Sequence, residues 1–176
     1  EGAKVVIADV DEQAAKERAE KLSPDGSKAA YHKTDITDPA DIKKMADFTS
    51  NLFGRIDILV NNAGIQIRTP SLDFKREDWD RLMDINLKAV FFCSQEAARH
   101  MKDSGGGAIV NISSATSTNT LTGRAPYCIS KAGVNALTAV LGAEWAGEGI
   151  RVNAVAPGWI LTELLQEGMR LGVVRE

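Results

Sequence analysis

Short apolar runs rich in β-branched residues punctuate the chain at Lys4–Asp9, Ala29–Asp35, Ile56–Asn61, Ala108–Ser113 and Ile150–Val155. Each is too short for a helix and several are bounded by Gly or Asp, so each predicts a strand. The intervening segments repeat their apolar positions at helical spacing. The first places Ala15, Ala19 and Leu22 on one face with charges elsewhere, the pattern of a surface helix. The second opens at Asp38-Pro39, a capping residue followed by the proline that suits a first helical position. It carries Ile42, Met45, Thr49 and Leu52 and stops at Gly54. A third helix is expected from about Arg76 to Lys102 and a fourth from about Ala125 to Ala146, both apolar on more than one side.

Strands alternating with helices predict an α/β fold with a doubly wound parallel sheet, because each crossover returns right-handed over the sheet. The strands are apolar almost throughout, as strands covered on both faces should be. No repeat, linker or low-complexity stretch divides the chain, so residues 1–176 read as a single domain.

Composition narrows the partners. With 44% hydrophobic and 26% charged residues the chain is suited to bury a core. A net charge of -3 with both signs interspersed offers no basic stripe for nucleic acid or an anionic membrane. The expected partner is a small molecule. Cys93 and Cys128 lie in helical patterns without ligand-like neighbours, so no metal is expected, and reduced buried thiols fit a cytoplasmic compartment. No leader-like segment or bilayer-length apolar run is seen, which predicts a soluble protein. The chain opens at Glu1 directly into a strand-like run and reads as an internal segment.

The strongest chemical signal is Tyr127 and Lys131 at the start of the fourth helix, with Ser114 after the preceding strand. Four residues make one helical turn, which sets an ammonium beside a phenol. A positive charge there favours phenolate, so Tyr127 could exchange a proton with a hydroxyl near neutral pH, while a serine hydroxyl holds the same oxygen. Tyr-x-x-x-Lys alone is a weak signal, and its context carries the argument. Asn61-Asn62-Ala63-Gly64 follows one strand, Asn111-Ile112-Ser113-Ser114 another, then come Tyr127-Cys128-Ile129-Ser130-Lys131 and Pro157-Gly158. In order and spacing these resemble the short-chain dehydrogenase/reductase family over nearly the whole chain.

The resemblance implies a Rossmann-type fold and an oxidoreductase that passes hydride between a nicotinamide cofactor and an alcohol or ketone. It makes Tyr127 the general acid/base, Ser114 the partner of the substrate oxygen, and Lys131 both a nearby charge and a ligand of the nicotinamide ribose. Asn86, a poor helix former within the third helix, would kink that helix and help hold a water in the proton relay. Ser113 competes with Ser114, and the family's separation of serine from tyrosine favours Ser114. For the cofactor it implies Asp9 against the adenosine ribose, Asp35 and Ile36 at the adenine, and Asn61, Ala63 and Gly64 along the adenosine side. Pro157 and Gly158 would lie near the nicotinamide, with Ile160 and Thr162 at its carboxamide or the phosphates. A carboxylate at Asp9 repels a ribose phosphate and no arginine adjoins it, so NAD(H) is expected over NADP(H). Asp9 and Asp11 also both precede a helix and could cap it.

Other features set further expectations. Gly105-Gly106-Gly107 leads into a strand instead of following one, so it reads as a turn and not a phosphate loop. The family's first strand and glycine-rich loop are missing. In the order 3-2-1-4-5-6 that strand lies between the second and fourth, so a central gap with unpaired edges is expected, and with it poor folding and weak NAD(H) binding by this chain alone. A non-catalytic dinucleotide sensor and an inactive product are the alternatives to an enzyme. Gly64-Ile65-Gln66-Ile67-Arg68 and the region from Phe74 to Phe92 are similar to sugar-acid dehydrogenases of the gluconate type. Arg68 could pair with a carboxylate, and a sugar acid or polyol is the preferred substrate class. Phe91, Phe92, Val140 and Trp145 lie on faces the sheet does not cover, and the resemblance implies that the third and fourth helices pair with their counterparts in a homo-tetramer or dimer.

Overall fold

The computed structural model describes residues 2–160. Strands β1 (Val5–Asp9) and β2 (Ala29–Lys33) flank helix α1 (Glu12–Leu22), and α2 (Pro39–Phe53) leads to β3 (Ile58–Asn61). Then follow α3 (Arg76–Met83), a π-helical turn (Asp84–Lys88), α4 (Ala89–Asp103), β4 (Gly107–Ile112), α5 (Ala125–Trp145) and β5 (Ile150–Val155). The expected α/β architecture is present, and every strand pairing among the described residues is parallel.

The strands form two sheets, β1-β2 and β3-β4-β5. Between them β1 and β3 present unpaired edges: Val5 is 39% exposed, Ile58 62% and Val60 54%. The expected central gap is therefore visible in the strand order. Helix α2 links the halves by packing on both β2 and α4.

Local signals set the helix ends. Asp38 accepts a hydrogen bond from the N–H of Ala40, Pro39 opens α2, and Gly54 closes it at φ 86°, a left-handed conformation that glycine adopts without steric cost. Asp11, not Asp9, caps α1, accepting from the N–H of Ala14. On α1, Ala15 and Ala19 are buried but Leu22 is 53% exposed, because it occupies the last helical position, where the chain turns off at Ser23. Leu52, near the end of α2, is likewise outside the core, whereas Ile42 is buried within it. The apolar core lies between the β3-β4-β5 sheet and α2, α4 and α5, around Ala46, Ile56, Ala97, Met101, Ile109 and Leu141.

The single helix expected from Arg76 to Lys102 is instead three consecutive segments, with the π-helical turn in the middle. Helix α5 begins at Ala125 as expected and ends one residue early, at Trp145, before a short 3-10 turn. The triple glycine is a turn: Gly105 and Gly106 have φ of 88° and 108°, and Gly106 N–H donates to the Met101 carbonyl at 2.8 Å. Phe91 and Trp145 pack against the core, while Phe92 and Val140 are 40% and 52% exposed. No helix among the described residues is long and apolar enough to cross a membrane.

Candidate active site

Five segments meet beyond the carboxyl ends of β3, β4 and β5, the edge at which open α/β sheets take their ligands. Lys131, on α5, is 4% exposed and donates to the Ile112 carbonyl at 2.7 Å. The Ser113 hydroxyl returns a bond to the Lys131 carbonyl at 3.1 Å, so helix and strand end are tied twice. An ammonium carries three N–H groups, and two remain for other partners. Burial pushes the Lys131 pKa down, and no carboxylate pairs with it among the described residues. A buried cation of that kind is characteristic of a working site.

Tyr127 lies one turn earlier on α5, and the Lys131 ammonium is 5.9 Å from its ring centroid. The two serines separate cleanly. Ser113 spends its proton on Lys131, whereas Ser114 accepts from the N–H and hydroxyl of Thr116 at 3.2 and 2.9 Å, which leaves its own O–H to donate. Ala115 N–H donates to the Pro157 carbonyl at 2.9 Å, bringing Pro157-Gly158 beside Ser114.

Asn86 occupies the π-helical turn and is fully buried. It does not bond its own helix. Its Oδ1 accepts from the N–H of Ile65 and its Nδ2 donates to the Ile65 carbonyl, both at 2.8 Å, with a further contact to the Ser130 hydroxyl at 3.3 Å. The wider turn rotates this amide off the regular ladder toward the loop after β3, in keeping with the frequency of π-turns at functional sites. Gly64 completes the corner: a Cβ there would lie 3.3 Å from Asn86 Oδ1 and 3.6 Å from Lys131 Nζ.

Asn61 is tied inward. Its Nδ2 donates to Ser94 and to Asn111 Oδ1 at 2.9 and 2.8 Å, and Asn111 in turn donates to Thr138 at 2.9 Å. This polar chain joins β3, β4, α4 and α5 through the core. Ala63 is exposed beside it. Across the gap, Asp9 ends β1 and Asp35 follows β2, and Thr34 N–H, next to Asp35, donates to the Asp9 carbonyl at 2.9 Å. One Asp9 oxygen accepts from Asp11 N–H at 2.9 Å and the other has no partner among the described residues. Asp35 accepts from the Thr37 hydroxyl and N–H, which hold its carboxyl below the usual range. Ile36 is half-buried next to it and Ile160 is 60% exposed after β5, while Thr162 lies outside the described residues.

This set fits a dinucleotide: a free carboxylate at the end of β1, a side-chain-free approach at Gly64, and a buried ammonium with unspent donors. The Ile65 backbone, Ser130 and Thr116 escaped the sequence reading. Their contributions are hydrogen bonds to Asn86 and Ser114, and no residue-type signal marks them.

A model of the family described as short chain dehydrogenase matches residues 1–170. The chain belongs to the short-chain dehydrogenase family. Members of this family bind NAD(P) and act on small-molecule alcohols or ketones. The chain is 39% identical to D-threitol dehydrogenase of Mycolicibacterium smegmatis, over 93% of this chain and 63% of the relative. It is 39% identical to gluconate 5-dehydrogenase of Gluconobacter oxydans, over 94% and 64% respectively. It thus spans less than two thirds of the length of these relatives. Among solved structures, a gluconate 5-dehydrogenase from Burkholderia cenocepacia in complex with NADP and tartrate superposes with a TM-score of 0.88 at 40% identity, covering 96% of this chain and 66% of that one.

Proposed function

We propose that the protein carrying this chain oxidises a secondary alcohol, or reduces the ketone, of a small sugar acid or polyol with NAD(H). The observation that carries this is the buried Lys131, without a carboxylate partner among the described residues, one turn from Tyr127 and tied to the strand end that presents Ser114. When bound, the nicotinamide supplies the hydride acceptor or donor. Ser114 donates its remaining O–H to the substrate oxygen. Tyr127 takes the carbinol proton as its carbon gives up hydride, and returns a proton in the reverse direction. Lys131 supplies the adjoining positive charge, and its spare N–H groups suit the hydroxyls of the nicotinamide ribose. Asn86, held by Ile65, keeps the π-turn and the loop after β3 in place and orders water toward Lys131.

Asp9 supports NAD(H) over NADP(H), because its free oxygen suits ribose hydroxyls and repels a phosphate. Catalytic efficiency with NADPH equal to or better than that with NADH overturns this preference. Asp35 and Ile36 suit the adenine, Asn61, Ala63 and Gly64 the adenosine side, and Pro157, Gly158 and Ile160 the nicotinamide end. The sugar-acid and polyol preference follows the relatives, whose names are those of threitol and gluconate dehydrogenases. Exposed Phe92 and Val140 support a dimer or tetramer through α4 and α5, and the two buried unpaired thiols support a reducing, cytoplasmic setting.

The decisive experiment follows NADH absorbance in the full-length protein and its Tyr127→Phe variant over sugar acids and polyols. Turnover by the parent, with a loss of orders of magnitude in a variant that still binds NADH, supports the reading. Binding of NADH by both without any turnover favours a dinucleotide sensor.

A further inference from the structure

Arg124 stands at the cap of α5, three residues before Tyr127, so the two share one side of the first helical turn. Its guanidinium carbon lies 5.2 Å from the ring centroid of Trp159, which follows Pro157-Gly158. A cation seated on an indole face keeps its in-plane N–H groups for a ligand, and that fork matches a carboxylate through two parallel hydrogen bonds. The loop after β3 delivers a second arginine. Thr69 N–H donates to the Gly123 carbonyl at 3.1 Å, and Arg68 and Arg124 flank that bonded pair.

The surface cations behave differently. Lys43, Lys88 and Arg99 each pair with an acid on their own helix. Neither Arg68 nor Arg124 has an acidic partner among the described residues. Burial first and the charge of Arg68 second hold the Arg124 guanidinium below its ordinary range. Two like charges brought together beside a proton-transfer residue are relieved by an anion bound between them.

The geometry points to Arg124, seated on Trp159 and joined by Arg68, as the residue that receives a substrate carboxylate and so selects a hydroxy acid over an uncharged polyol of the same length. This inference rests on the alcohol–ketone reading above and assigns its specificity to a side chain outside the Ser114, Tyr127, Lys131 and Asn86 set.

The test measures binding of D-gluconate and of glucitol, which match in length and differ in the carboxylate, by calorimetry on the full-length protein with cofactor present. Gluconate should bind the more tightly. Arg124→Met should weaken it by about 30-fold, as expected for a lost charge-assisted pair, with Arg124→Lys between the two and glucitol affinity unmoved. In turnover, Arg124→Met should raise KM for the acid far more than it lowers kcat. Equal gluconate affinity in wild type and Arg124→Met, an equal loss for glucitol, or gluconate binding no tighter than glucitol each overturns the inference. Gluconate binding that depends on Arg124 in a protein that turns over no alcohol or ketone upholds the carboxylate site and sinks the oxidoreductase reading, so the two fail separately.

Discussion

Asn86 and Ile65 are joined at both ends of one side-chain amide, Oδ1 accepting from the Ile65 N–H and Nδ2 donating to its carbonyl, each at 2.8 Å. Asn86 is fully buried and Ile65 partly so, and both backbone groups of Ile65 take their partner from this one side chain. It fastens the loop after β3 to the π-helical turn beside Lys131.

Asn86→Ala leaves two backbone groups short of partners and should cost about 2–4 kcal/mol in urea unfolding of the full-length protein. Asn86→Asp keeps the acceptor but loses the donor, so it should also destabilise, and more at pH 8 than at pH 5, where a carboxyl can be protonated and donate. Equal stability of both variants with wild type would remove this pair from any structural role.

Gly64→Ala places a Cβ 3.3 Å from an Asn86 oxygen that Ile65 holds in place. The neighbour has little room to yield, so the amide beside Lys131 is displaced. A loss in kcat of roughly ten-fold or more is expected, against a stability loss of about 1–3 kcal/mol. A double-mutant cycle checks the cause: in the Asn86→Ala background the same glycine substitution should cost markedly less.

Cys93 is buried on α4, and desolvation raises its thiol to about 11 from the ordinary 9.0. The folded state therefore holds this proton more tightly than the unfolded chain does. The associated stability is fully present below pH 9 and is lost as pH rises through about 11. A Cys93→Ala variant should show a shallower fall in stability across that window. Iodoacetamide at pH 8 should leave Cys93 unmodified in the native protein and label it in urea, and rapid native labelling would contradict the burial.

Gly105 and Gly106 should respond unequally to alanine. Both have positive φ, yet a Cβ on Gly105 meets open space while one on Gly106 runs into the backbone carbonyl of Gly149. Gly105→Ala should cost about 1 kcal/mol and Gly106→Ala about 2–4 kcal/mol, read from chemical denaturation of the two variants side by side.

Some of this was legible from residue order alone. The capping of α2 by Asp38 and its closure at Gly54 are decided within a few residues, by a side-chain oxygen meeting a nearby N–H and by a glycine taking positive φ. Tyr127 and Lys131 are one helical turn apart wherever the helix sits, so their proximity follows once α5 forms. The alternation of strands and helices implied the parallel pairings through the crossover rule, which needs only the order of the elements. Leu22 and Leu52 share the apolar faces of their helices yet lie outside the core, because helical periodicity tells which face is apolar and not how far the core extends along it.

Tertiary structure decided what depends on distant segments meeting. That Ser113 is spent on the Lys131 carbonyl while Ser114 keeps its proton depends on where α5 lies against the end of β4. Asn86 finds Ile65, 21 residues away, only because α4 and β3 pack together. Arg68 and Arg124 become neighbours through one backbone hydrogen bond between two loops, and Trp159 joins them from a third. The sequence by itself determined the elements and the spacing within each, because those rest on local backbone geometry. The pairings that distinguish one serine from its neighbour and bring two arginines together exist only after the sheet is packed, since packing alone sets the distances between segments far apart in the chain.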